Sequence, residues 1–99
     1  LDAAEASGEA FWQLPIPEEI RENLTSEVAD LASSGKTRYG GALTAAAFLQ
    51  AFVGEGVRWA HLDIAGPAWN AQGPYDYVPK GGTGSGVRTL VALARQLAG

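Results

Sequence analysis

Apolar side chains recur at helical spacing in three parts of the sequence. The pattern predicts a first helix over residues 17–29, a second over 42–53 and a third, strongly amphipathic one over 87–98. The expected buried stripe of the first helix consists of Ile20, Leu24, Val28 and Leu31. Residues 1–10 are rich in alanine and acids, and they are compatible with the end of a helix or with a tether.

Two shorter apolar runs predict strands. In residues 57–64 apolar and polar side chains alternate, and the run ends just before Ala65-Gly66-Pro67. Residues 11–16 indicate an edge strand, because the backbone of Pro15 has no N–H to donate to a neighbouring strand. Residues 33–41 and 68–86 are rich in glycine and polar side chains, which indicates loops. The sequence therefore predicts an α/β fold of about two strands and three helices.

The second predicted helix is apolar nearly all the way round. Between residues 42 and 53 only Thr44 and Gln50 carry polar side chains. Such a helix must be covered on most sides, and a domain of this size has little protein to cover it with. Leu49 and Phe52 are therefore expected to be enclosed by further protein.

Length and composition narrow the class of protein. A chain of 99 residues that is 46% hydrophobic and has no cysteine fits one small globular unit without disulfides or a thiol nucleophile. The net charge of -4 combines -7 over residues 1–30 with +3 over the remainder. This distribution argues against nucleic-acid binding, because phosphates require clustered Lys and Arg side chains. No apolar stretch is long enough for a membrane span. With neither an initial methionine nor a basic leader, the sequence is expected to be part of a longer cytosolic chain.

Three features could carry chemistry, each with a plainer structural explanation. Residues 80–89, a glycine-rich stretch before a helix, could hold an anion, although they lack the Gly-Lys-Ser/Thr of a phosphate loop. His61 and Asp63 lie on one face of the predicted strand, where an imidazole–carboxylate pair could act as a base. Lys36 and Arg38 could bind a carboxylate. The sequence shows no ligand spacing typical of a metal site.

Three segments together resemble the end of the leucyl aminopeptidase (cytosol aminopeptidase) family. They read ALTAAAFL at residues 42–49, WAHLDIAG at 59–66 and KGGTGSGVRTL at 80–90, in the order and spacing of that family. Residues 12–15 and 28–31 are similar to the preceding part of the same region. The resemblance covers essentially the whole chain and implies that residues 1–99 are the C-terminal part of a single α/β catalytic domain.

The resemblance also implies an activity. Members of the family are cytosolic homohexamers that use two divalent ions, zinc or manganese, to remove N-terminal residues from peptides. Paired ions of this kind polarise the scissile carbonyl and activate a water. The family's metal ligands and catalytic groups belong to motifs absent from this sequence. Asp63, Lys80 and Arg88 are therefore given no catalytic role, and this segment is expected to bind no metal alone.

Three positions carry over from the family as substrate-binding residues. Ala65 and Ala68 match positions that line the pocket for the substrate's first side chain, and Ser34 matches one near the second-residue pocket. Ala68 is small where a methionine can stand in the family, and Ser34 is polar where an aliphatic residue can stand.

Two hypotheses follow from the sequence. In the first, the chain supplies core and pocket wall to an aminopeptidase, has the remainder of that enzyme as its partner, and is inactive alone. In the second, it is a small stand-alone α/β binding module that uses residues 80–89 for an anionic ligand.

Overall fold

The computed structural model describes all 99 residues and contains four helices and one two-stranded sheet. These elements are α1 (Asp2–Ser7), α2 (Glu18–Glu22), α3 (Gly41–Gln50), β1 (Trp69–Asn70), β2 (Gly81–Gly82) and α4 (Val87–Ala98). They belong to two compact units, one formed by Leu1–Gln13 with Leu62–Gly99 and the other by Leu14–His61.

In the first unit, α1 packs against α4 through small side chains. Ala3 and Ala4 are buried, as is Thr89 on α4, and the Ser7 and Thr89 hydroxyl oxygens lie 3.1 Å apart. The prediction of a helix over residues 87–98 is confirmed at both ends. Its apolar stripe, however, faces away from α1 and is exposed. The exposed members are Val87, Leu90, Val91, Leu93 and Leu97.

The predicted loop 68–86 contains a small antiparallel sheet. Trp69 pairs with Gly82 and Asn70 with Gly81. The connection is organised by Asn70, whose amide donates to the carbonyls of Gly73 and Pro79, both at 3.2 Å. The segment is therefore an ordered hairpin, which alternating periodicity could not reveal because each strand has only two residues.

The second unit contains α2 and α3, which pack against each other. α3 agrees closely with its prediction, whereas the prediction of a helix over residues 17–29 is wrong beyond Glu22. The Ser26 hydroxyl accepts hydrogen bonds from the amides of Val28 and Ala29, which replaces helical bonding with a local turn. Leu24 is fully buried, but Val28 is 97% exposed, so the expected stripe is broken.

The two predicted strands are also corrected. Neither residues 11–16 nor residues 57–64 pair with another strand in this chain. A β-strand is defined by backbone hydrogen bonds to a neighbouring strand. An extended apolar segment without such a neighbour remains unpaired. The mixed helix and strand content still agrees with an α/β fold, with strands at other positions than expected. No helix in the structure combines the length and the apolar character that crossing a membrane would require.

Candidate functional site

Ala65 and Ala68 lie at the two ends of one tight turn. The carboxylate of Asp63 accepts a hydrogen bond from the Ala65 amide at 3.1 Å. The Ala68 amide donates to the carbonyl of Ile64 at 2.9 Å, which closes the turn. Ala65 is exposed and Ala68 is half-buried. The structure thus brings these two predicted pocket residues together on a turn whose backbone is held by its own neighbours.

Thr83 holds the far end of the same turn. Its backbone amide donates to the carbonyl of Ala68 at 3.0 Å, and its hydroxyl donates to the carbonyl of Pro67 at 2.5 Å. The first bond extends the ladder of β1 and β2 by one pair, because Ala68 and Thr83 directly adjoin the paired Trp69 and Gly82. The glycine-rich segment is therefore connected to the turn rather than lying free.

Glu9 occupies the N-terminus of α4. Its Oε1 accepts a hydrogen bond from the Gly86 amide at 2.9 Å, and its Oε2 accepts two from Thr89, from the amide at 2.9 Å and from the hydroxyl at 2.6 Å. Free amides and the helix dipole at an N-terminus favour a negative charge. Glu9 thus acts as the cap of α4 from a distant part of the sequence.

The capping geometry depends on charge and on a glycine. The hydrogen bond from the Thr89 hydroxyl is the largest of several influences that lower the pKa of Glu9. Gly86 adopts a φ of 87°, a left-handed conformation that a residue with a Cβ adopts only at a cost. Sequence reasoning missed Glu9. The available signal was that α4 follows Gly86, which has no side chain to cap it, and has no acid in its first turn, so its amides require an acceptor from elsewhere.

An open cleft of about 350 Å³ lies beside the turn. Gly66 and Pro67 contribute to its wall, whereas Ala65 and Ala68 do not. Its aromatic lining consists of Phe11, Trp69, Tyr75 and Tyr77. The guanidinium of Arg88 lies 4.2 Å from the centre of the Tyr77 ring and donates to its hydroxyl. Arg88 therefore anchors the hairpin to α4, a structural role.

Ser34 belongs to the other compact unit. It is exposed and lines a hollow of about 250 Å³ at the start of α3. The other lining residues are small: Ser33, Gly35, Thr37, Gly41, Thr44 and Ala45. Lys36 and Arg38 are exposed on the same loop and do not line the hollow. The hollow beside Ser34 is thus lined by small side chains only.

The remaining candidate groups do not assemble into a metal site. His61 stacks with Trp59, with ring centroids 6.3 Å apart, and its buried Nε2 has no hydrogen-bond partner. The Asp63 carboxylate is engaged by the Ala65 amide. No three His, Asp or Glu side chains lie close enough together to hold a metal ion. The residues of this chain therefore do not fit a two-metal centre, and we derive no catalytic step through one.

Comparison with known proteins identifies the family. The profile of the cytosol aminopeptidase family, catalytic domain, matches residues 1–91. A probable cytosol aminopeptidase of Cutibacterium acnes is 63% identical over 99 residues, which cover 100% of this chain and 19% of that protein. The chain belongs to the cytosol aminopeptidase family and corresponds to a C-terminal part of its catalytic domain.

Solved structures agree with this assignment. The bottromycin maturation enzyme BotP in complex with Mn superposes with a TM-score of 0.92 at 51% identity, covering 99% of this chain and 21% of that one. A mutant of tomato leucine aminopeptidase superposes with a TM-score of 0.83 at 45% identity, covering 96% of this chain and 18% of that one. The chain spans about a fifth of the length of the relatives that it matches.

Proposed function

We propose that this chain is the C-terminal segment of a leucyl-type, metal-dependent aminopeptidase that removes N-terminal residues from peptides. The observation that carries the proposal is the 63% identity to a probable cytosol aminopeptidase over the whole of the chain. A relative with bound Mn supports the dependence on a divalent metal. The two ions of the intact enzyme, zinc or manganese, are held by residues outside this segment, as the resemblance implies. This is supported by the lack of any three His, Asp or Glu side chains in the segment that lie close enough together to hold an ion.

Within that enzyme the segment supplies substrate contacts rather than catalytic groups. Ala65 and Ala68 form the wall of the pocket for the first side chain of the substrate, and Ser34 lies near the pocket for the second. The fixed turn at residues 65–68 supports the first assignment, since a pocket wall needs a rigid backbone. The exposure of Ser34 on a small hollow supports the second.

The segment needs the rest of its enzyme to cover its apolar surface. Its accessible surface is 7832 Å², whereas a folded monomer of 10.3 kDa is expected to expose about 5400 Å². The apolar stripe of α4 and the side chain of Phe52 are among the exposed groups. The partner of this surface is the remainder of the aminopeptidase chain, and the complete enzyme is a cytoplasmic homohexamer, as the resemblance implies.

The test compares the intact protein with the 99-residue chain. Highly purified samples of both are assayed for hydrolysis of leucine amide, and both are titrated with zinc and with manganese in a calorimeter. The intact protein is expected to bind metal and to turn over, and the short chain to do neither. Stoichiometric metal binding at micromolar concentration together with turnover by the short chain would contradict the proposal.

The alternative of an anion-binding module is not favoured. Its ligand would bind at the amides that follow the glycine-rich stretch, where α4 begins. The Glu9 carboxylate already accepts hydrogen bonds from the amides of Gly86 and Thr89. An added anion would have to displace the Glu9 carboxylate from these amides. The displaced carboxylate would remain nearby, and its negative charge would repel the anion.

A further inference from the structure

The turn that carries Ala65 and Ala68 is supported from outside by a single polar side chain. Asp63 and Ile64 hold the turn from the residues that precede it. From the distant part of the unit, the hydroxyl of Thr83 reaches the carbonyl of Pro67. The peptide group between Pro67 and Ala68 is therefore fixed in orientation, and with it the direction in which the Ala68 methyl group points.

Thr83 is in turn connected to the cap of α4. Its Oγ1 accepts a hydrogen bond from the Ser85 amide at 3.3 Å, and the next amide, that of Gly86, donates to Glu9. The hydroxyl of Thr83 thus both donates and accepts, so it joins the turn to a segment that is held rigidly at its other end. A side chain in such a position transmits rigidity to the turn through the backbone.

We propose that Thr83 is a positioning residue for the substrate pocket: it fixes the Pro67–Ala68 peptide and so determines how sharply the enzyme distinguishes first side chains. The proposal rests on the function proposed above for Ala65 and Ala68. The effect of Thr83 is exerted through the backbone carbonyls of Pro67 and Ala68, which accept its two hydrogen bonds.

The experiment uses the intact protein with Thr83→Val, Thr83→Ser and the control Thr25→Val. Valine preserves the shape of threonine but removes both hydroxyl hydrogen bonds, whereas serine keeps them. The side chain of Thr25 is exposed. The measured quantity is the ratio of kcat/KM for leucine amide to kcat/KM for alanine amide. Thr83→Val is expected to lower this ratio about fivefold or more, while the other two variants stay within about twofold of the wild type.

A purely structural role gives a different result. The proposal is overturned if Thr83→Val lowers the melting temperature but leaves the ratio of the two kcat/KM values unchanged. It is also overturned if Thr83→Ser lowers this ratio as much as Thr83→Val does. Hydrogen exchange of the Ala68 amide provides a second readout. Its protection is expected to fall about tenfold in Thr83→Val and to be retained in Thr83→Ser.

The two measurements also separate this proposal from the one on which it rests. If the intact wild-type protein hydrolyses neither amide, the proposed function fails. Exchange of the Ala68 amide then still decides whether Thr83 fixes the turn, and unchanged protection in Thr83→Val would refute the inference.

Discussion

The Oε2 atom of Glu9 accepts two hydrogen bonds from Thr89, one from its amide at 2.9 Å and one from its hydroxyl at 2.6 Å. The two residues are 80 positions apart in the sequence. The other carboxylate oxygen, Oε1, accepts a hydrogen bond from the Gly86 amide. The Glu9 side chain therefore satisfies two of the free amides near the start of α4. Glu9 therefore joins the segment that follows α1 to the helix against which α1 packs.

Removing the charge of Glu9 should destabilise the intact protein. In Glu9→Gln, an amide NH₂ replaces one of two oxygens that face donors, so at least one hydrogen bond is lost. The expected cost is about 0.5–2 kcal/mol, the range typical for loss of a helix cap. Thermal unfolding checks this, with Glu5→Gln as control because Glu5 is exposed on α1. An equal melting temperature for both variants would show that the cap does not contribute.

The same contact should make stability depend on pH. The pKa of Glu9 is lowered in the folded protein, chiefly by the Thr89 hydroxyl, from an ordinary value of 4.5. A lowered pKa means that the contribution is complete above pH 4.5 and is lost as the pH falls through the pKa of the folded state. The difference in melting temperature between wild type and Glu9→Gln should therefore shrink below pH 4.5. A difference that stays constant down to about pH 3 would contradict this linkage.

Filling the pocket proposed at Ala68 should change substrate preference. Ala68→Phe in the intact enzyme is expected to lower kcat/KM for leucine and phenylalanine substrates far more than for alanine substrates. The expected difference is on the order of 1–3 kcal/mol, typical of steric discrimination in an apolar pocket. Ala71→Phe, an exposed position on the hairpin, is the matched control. Equal losses with all three substrates would show that Ala68 does not line the pocket.

A carboxylate at either of two apolar positions, Leu49 near the end of α3 or Phe52 just after it, should prevent folding of the intact protein. Phe52 is 72% exposed and Leu49 is 47% exposed in this chain, yet both are expected to be enclosed once the rest of the enzyme is present. Burying an unpaired carboxylate there would cost several kcal/mol, against a typical stability of roughly 5–15 kcal/mol. Soluble yield of Leu49→Asp and Phe52→Asp should therefore collapse, while that of Gln50→Glu should not. Normal yield and melting temperature in the aspartate variants would mean that α3 remains open to solvent.

The spacing of apolar residues predicted the bounds of a helix best where interactions within the segment determine them. The amphipathic spacing of α4 predicted both of its ends, and the apolar run of α3 predicted its extent within a few residues. The prediction over residues 17–29 failed after Glu22 because the Ser26 hydroxyl offers the backbone a competing turn, which apolar periodicity does not register.

Features that depend on distant residues could not be predicted in the same way. Strands were expected at residues 11–16 and 57–64, but pairing requires a neighbour that these 99 residues do not provide. The roles of Glu9 and Thr83 depend on contacts across many residues of sequence. The positions of Ala65, Ala68 and Ser34 came from resemblance to a family, since small residues carry no chemical signature of a pocket.

The remote cap has a consequence for the order of folding. A helix capped by the residue beside it gains its cap within its own segment, whereas the free amides at the start of α4 gain theirs only when a loop of about 80 residues closes. Contacts of such long range form slowly because closure entropy is lost before the contact is gained. During synthesis Glu9 also leaves the ribosome well before Thr89. Its carboxylate therefore remains hydrated until the end of α4 that it will cap has been made.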